Sequence, residues 1–179
     1  MSVFTNPASQ SREQAQAYTS AVLELLGERD PIDVLRRTAA ALEKKIDGLS
    51  ARQLAKREAQ NKWSIKHVVR HLADSEIVWG WRLRLTLAQD RPPITGYDQD
   101  LWAERLGYDK SDAKESVAEF GVLRTSNLGL VKRASPGDLA RVGLHSERGE
   151  ESVAHMMRLY AGHDLLHLKQ IDRIRASLG

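Results

Sequence analysis

GHDLLHLKQIDRI, residues 162–174, carries two histidines one helical turn apart, His163 and His167. Around it the apolar positions run Val153, Met156, Tyr160, then the two histidines, then Ile171, Ile174 and Leu178. Spacings of three and four throughout describe a helix with one buried stripe, predicted over about Glu151 to Ser177. The histidines stand in that stripe where apolar residues otherwise would. An i, i+4 pair aims two imidazoles the same way from successive turns, about 40° apart around the axis, which suits chelation of one ion.

Upstream, helix punctuation recurs and strand punctuation does not. Asp30 and Pro31 read as the N-cap and first turn of a helix through Val34, Leu35, Ala39, Leu42 and Ile46 that stops near Gly48. A shorter amphipathic stretch, Tyr18, Val22, Leu25 and Leu26, precedes it and ends at Gly27. Ser64 is placed to cap a long helix reaching about Gln89, where Asp90, Arg91, Pro92 and Pro93 break it. Ser111 or Asp112 opens another through Val117, Phe120, Leu123, Leu128 and Val131, ending before Pro136, and a short turn of helix follows at Pro136 to Leu139.

No segment alternates convincingly with period two, so the expected fold is all-α: a four-helix bundle with a short leading helix. The connections before and after the third main helix run roughly 15 to 22 residues, where antiparallel neighbours in bundles need only about 2 to 8. At least one of them is expected to travel the length of the bundle, giving up-down-down-up order. Residues 1–12 read as a flexible N-terminus and 13–179 as a single domain.

A third histidine completes a candidate cluster. On the second main helix Ile65, Val68, Leu72, Trp79 and Leu83 define the buried face, with His71 on its flank and His67 farther round toward solvent. His71 lies roughly 10 Å into its helix and His167 roughly 15 Å before the end of its own, so antiparallel packing would bring them near one level. His71, His163 and His167 together would make a three-imidazole metal site with an open position. Polar core histidines satisfied by carboxylates and backbone are the alternative.

Composition limits the chemistry. With 179 residues, 41% hydrophobic and 28% charged, the chain is large enough to bury a full core without staples. It has no cysteine, which excludes disulfides, thiolate zinc sites, iron–sulfur clusters and a cysteine nucleophile. The start, MSVFTNPASQSREQ, lacks a basic flank and apolar core, and no run is long enough to cross a bilayer, so a cytoplasmic protein is expected. The 27 basic residues are interleaved with 24 acidic ones, and the densest basic segment, Lys44 to Arg57, has no aromatic interleaving. Nucleic acid and membrane are therefore not expected partners.

The segments WSIKHVVRHLADSEIVWGWRLR (63–84) and AGHDLLHLKQI (161–171), with GYDQDLW (96–102) and GLHSERG (143–149), resemble the DinB-like superfamily, the damage-inducible or YfiT-like proteins. The resemblance covers the chain from ELLGERDP onward. It implies an up-down-down-up bundle, often a homodimer, holding one divalent metal through three histidines, here His71, His163 and His167. It also implies metal-dependent S-transfer or isomerisation with a low-molecular-weight thiol in some branches. Where relatives commonly carry an acidic residue this chain has His67, which raises the question of a fourth imidazole at the site.

Three neutral imidazoles leave a divalent ion its full charge and an open position, where the pKa of a bound water or thiol falls. Zinc, nickel and iron suit such ligands. Because the chain has no thiol of its own, S-transfer would need a small-molecule thiol co-substrate. The expected function is a metal-dependent enzyme of thiol S-transferase type acting on small molecules; a metal-dependent hydrolase and a non-catalytic metal-binding or stress-associated module are the alternatives. Glu-x-x-His and HExxH are absent, which disfavours ferritin-like di-iron and zinc-protease chemistry.

Ser75, Tyr160, His67 and His145 are candidate pocket residues, His145 reading more simply as an exposed loop histidine. Arg82 reads as an inter-helix ion-pair partner, Asp164 as a surface or inter-helix residue and Trp63 as a hydrophobic staple. Trp79 and Trp81 read as core or dimer-interface bulk. Asp98 and Asp100 fit ordinary turn chemistry.

Overall fold

The structure, a computed structural model, describes residues 12–178. The segment 1–12, expected to be flexible, lies outside the described residues except for its last position. In chain order the elements are α1 (Arg12–Leu26), α2 (Pro31–Ile46), α3 (Ala51–Ala55), α4 (Ile65–Ala88), β1 (Pro93–Ile94), α5 (Gln99–Arg105), a 3-10 turn (Tyr108–Lys110), α6 (Ala113–Arg133), α7 (Pro136–Ala140), β2 (Val142–His145), β3 (Gly149–Ser152) and α8 (Val153–Ala176).

The caps explain where the main helices begin. Asp30 accepts a hydrogen bond from the Ile32 amide with Pro31 in the first turn, Asp112 accepts from Lys114 and Glu115, and Ser152 accepts from His155. Gly27 and Gly48 follow α1 and α2 with left-handed φ of 56° and 71°, which glycine adopts without a Cβ penalty. Ser64 precedes α4 as expected, but its hydroxyl bonds no backbone amide of the first turn and meets His67 instead.

Two apolar layers fix the helix directions. One joins Leu42 and Ile46 at the end of α2, Ile65 and Val68 at the start of α4, Val117 and Phe120 at the start of α6, and Ile171 and Ile174 at the end of α8. The other joins Leu35, Trp79, Leu83, Val131, Val153 and Met157 from the opposite ends of the same helices. Helices α2 and α8 therefore run one way and α4 and α6 the other, the expected up-down-down-up bundle. Helices α2 and α4 each pack on both α6 and α8, so the parallel pairs are neighbours. The leading helix α1 lies across α8, where Gly162 allows the backbone of Val22 to approach.

The absence of strands is corrected by a small sheet in the order β1-β2-β3. Pro93 and Ile94 pair in parallel with Leu144 and His145, and β2 turns back onto β3 with Val142 opposite Ser152. Strands of two and four residues are too short to show a period, and the β1 partner lies some fifty positions away in the chain. The sheet ties the long α4–α6 crossover to the segment before α8, at the end of the bundle where α4 finishes and α8 begins.

Candidate metal centre

Antiparallel α4 and α8 bring His71, His163 and His167 together, with one ring nitrogen from each within 4.8 Å of the others. The Nε2 atom of His163 lies 3.1 Å from Nε2 of His71 and 3.1 Å from Nε2 of His167. Two imidazole nitrogens on one tetrahedral ion stand about 3.4 Å apart, given metal–nitrogen bonds of about 2.0–2.1 Å. His71 and His167 are buried and His163 half-buried.

Protonation states favour a cation. Burial, then the neighbouring His167, holds the His71 imidazole well below its ordinary pKa. His163 is lowered likewise by burial, then by His167, His71 and Arg124. His167 is lowered to about 4 by burial, with the Gln170 hydrogen bond and Asp164 opposing. All three are therefore neutral near pH 7, each with one ring nitrogen carrying a lone pair.

The central Nε2 of His163 has either a proton or a lone pair, so it cannot make a favourable hydrogen bond in the same sense to both neighbours. With Gln170 Oε1 2.8 Å from His167 Nδ1, that nitrogen carries the proton and Nε2 faces the cluster as a bare donor of electrons. The donor set thus fits a divalent ion, whose charge would relieve the crowding of lone pairs. The unpartnered Nδ1 of His71 is buried on the far side of its ring.

The walls are aromatic on one side and open on the other. Trp63 is buried with its ring centroid 4.9 Å from that of His71 and stacks at 6.4 Å and 17° on His167. The expected staple is therefore a wall of the cluster. Opposite it, a cleft of about 630 Å³, counting its solvent-open mouth, borders His71 and His163. Ser75 and Tyr160 line it as expected. The Ser75 hydroxyl is 3.4 Å from His71 Nε2 and 3.1 Å from the Tyr97 hydroxyl, and the Tyr160 ring is 6.1 Å from the ring of His163. Burial raises the Tyr97 and Tyr160 phenols, which stay protonated near neutrality.

Other candidates go elsewhere. His67 is 4% exposed, not solvated, and turns from the cluster: Nδ1 is 2.7 Å from Ser64 Oγ, and Nε2 is 3.1 Å from Asp109 and 3.2 Å from Arg57. A loop residue, Asp109, covers the side that a helical wheel leaves to water, and the fourth-imidazole arrangement is not formed. His145 is 3% exposed in β2, its Nδ1 accepting from the Glu147 amide, because the sheet buries what reads as loop. It does not join the three histidines.

Among the described residues Arg82 makes no ion pair; it donates to the Thr95 carbonyl at 2.7 Å and the Tyr160 hydroxyl at 3.3 Å. Asp164 is buried between helices, paired with Arg124, which also holds Glu76, both at 2.7 Å. Trp79 is core and Trp81 is 62% exposed. Asp98 caps α5. Sequence reasoning did not pick out Gln170 or Tyr97; Gln170, one turn after His167 on the same face, carried the i, i+3 signal that finds such partners.

This arrangement defines a four-helix-bundle protein with a three-histidine cluster between two antiparallel helices at the edge of a cleft. A family model described as the DinB superfamily matches residues 34–171, and the chain belongs to that superfamily, as its histidine segments suggested. A protein of Oceanobacillus iheyensis named "Putative metal-dependent hydrolase" is 30% identical over 133 residues, 74% of this chain and 77% of its own length. The Bacillus subtilis protein YfiT, named in the same words, is 26% identical over 149 residues, 83% and 84% of the two chains. A solved structure described as "YfiT from Bacillus subtilis is a probable metal-dependent hydrolase with an unusual four-helix bundle topology" matches with a TM-score of 0.78 at 23% identity, covering 98% of this chain and 94% of that one.

Proposed function

We propose that this protein is a metal-dependent hydrolase of small molecules, with one divalent ion held by His71, His163 and His167. The observation that carries the reading is the convergence of three neutral imidazoles at 3.1 Å contacts beside a cleft. The names of its relatives favour hydrolysis over other metal chemistry. When bound, such an ion supplies Lewis-acid polarisation and lowers the pKa of a coordinated water or thiol. Zinc, nickel and iron all suit three imidazoles.

The chain's own groups set up the site. Gln170 holds the His167 ring in the tautomer that presents Nε2. Trp63 keeps water from the rear of the cluster, while His71 and His163 border the cleft through which a small molecule would enter. Ser75 and Tyr97, hydrogen-bonded together beside His71, are placed to bind and orient a polar group there. A homodimer belongs to the same reading, with exposed Trp81 on α4 as the residue on which it would form. No helix among the described residues is long and apolar enough to cross a membrane.

Thiol S-transfer is the competing reaction, because the same ligands would activate a thiol as readily as water. The test is turnover by the metal-loaded protein of a panel of esters and amides with water alone, and of electrophiles with added low-molecular-weight thiols. Hydrolysis that is lost in His163→Ala supports the proposal. Turnover only with a thiol replaces hydrolase by transferase, and no turnover in either arm favours a binding module.

A further inference from the structure

We infer that the cleft beside the histidines recognises a carboxylate on its substrate and that Arg82 docks it. The reacting end of that substrate rests on the metal-dependent reading above; the anionic end does not. Arg82 is 6% exposed, yet it lines the same cleft as His71 and His163. Its two hydrogen-bond partners, the Thr95 carbonyl and the Tyr160 hydroxyl, are both neutral. Among the described residues no carboxylate lies within ion-pair distance of it, whereas buried Arg124 is paired with Glu76 and Asp164, and Arg148 holds both oxygens of Glu151.

A buried guanidinium without a bonded counter-charge is costly: Glu151 attracts Arg82 only at a distance while it bonds Arg148, and a ligand anion is the partner left to bond the fork. Of the carboxylates nearby, Glu151 is taken by Arg148, and Glu147, also on the cleft wall, lies against Gly96 and makes no ion pair with Arg82 among the described residues. A second donor points to the same chemistry: Gln99 lines the cleft and its buried Nε2 has no hydrogen-bond partner among the described residues. A planar fork of N–H groups matches a carboxylate's two oxygens.

Tyr160 stands between the two ends of the cleft. Its hydroxyl is 3.3 Å from Arg82 and its ring centroid 6.1 Å from that of His163, so the gap comprises the phenol and both of these contacts. The class implied is a small carboxylic acid whose reacting carbonyl and carboxylate are separated by a short chain.

Succinate, adipate and suberate monohydroxamates are each paired with the alkyl hydroxamate of the same chain length (butyrohydroxamate for succinate), so that the members of a pair share a metal-chelating head and differ in the terminal carboxylate. Binding of each pair to the metal-loaded full-length protein is measured by titration calorimetry. At the chain length that spans the gap the carboxylated probe is expected to bind about ten-fold more tightly to the wild type, and the preference to vanish in Arg82→Met with metal content unchanged. Equal affinity within every pair for the wild type overturns the inference without any variant, as does a preference that survives in Arg82→Met. If Arg82→Met fails to fold, Arg82→Lys retains the charge without the fork and is expected to keep only part of the preference; full retention there contradicts docking by the fork.

A failure of the metal reading looks different. The wild type then retains no ion and butyrohydroxamate does not bind, while plain succinate still raises the Tm of the wild type and not of the Arg82 variant. If succinate fails as well, carboxylate docking falls with it.

Discussion

Gln170 Oε1 and His167 Nδ1 lie 2.8 Å apart across one turn of α8, both residues being buried. This bond decides which nitrogen of His167 faces the other two histidines. Gln170→Leu removes it without touching a candidate ligand. Metal affinity is expected to fall about 10–100-fold, as measured by competition with a chromophoric chelator, while the far-UV circular dichroism stays unchanged. Unaltered affinity would mean that packing alone orients the ring.

Acid should destabilise the metal-free protein. His71, His163 and His167 are all held below the ordinary imidazole value, so as pH falls the unfolded chain takes up protons first. Their contribution is fully present above about pH 6.5 and is lost as pH falls toward 4, the value to which burial lowers His167. For His167 alone this amounts to on the order of 3 kcal/mol. His145, lowered to about 3 chiefly by burial, acts in the same direction. Urea unfolding between pH 7 and 4.5 is expected to show a steeper loss for the wild type than for a variant with all three cluster histidines replaced by Gln. Parallel curves would show that the cluster is not buried neutral.

Arg124 is the electrostatic centre of the bundle. It bonds Glu76, Asp164 and the Leu35 carbonyl and lies over the rings of Phe120 and Trp79. Burial raises the Glu76 carboxyl, and Arg124 partly offsets this. Arg124→Met leaves two buried carboxylates without their cation and should cost about 3–5 kcal/mol in urea unfolding at pH 7. A loss below about 1 kcal/mol would mean that the pair ionises independently of the arginine.

Gly162 marks the crossing of α1 over α8. A Cβ there would stand 2.1 Å from the Val22 carbonyl oxygen, a backbone atom that cannot yield without moving α1. Gly162→Ala should destabilise by about 1–3 kcal/mol. In Gly121→Ala, where the nearest atom is the Ala39 Cβ at 3.8 Å, the helix should gain about 0.5–1 kcal/mol. Thermal unfolding of both variants checks the pair of signs, and a loss of similar size in both would contradict the crossing.

The bundle could be read from the sequence because its signals are local: caps at Asp30 and Asp112, and a three-four stripe in α8 into which His163 and His167 are set. The direction of the helices followed from connection lengths. What escaped depends on partners distant in the chain. Asp109 buries a histidine, His67, that the helical wheel exposes; β1 buries His145; and Trp63 reaches across to His167. A period reports which face of one helix is apolar, not which loop or strand later covers the other.

One metal ion held jointly by His71, His163 and His167 is what the proposed function requires. Metal analysis of untagged protein, after equilibration with zinc, nickel or iron(II) and removal of free ion, compares the wild type with His163→Ala/His167→Ala. About one equivalent of divalent ion per wild-type chain and little in the variant is the predicted result. Equal, substoichiometric metal in both proteins would contradict it.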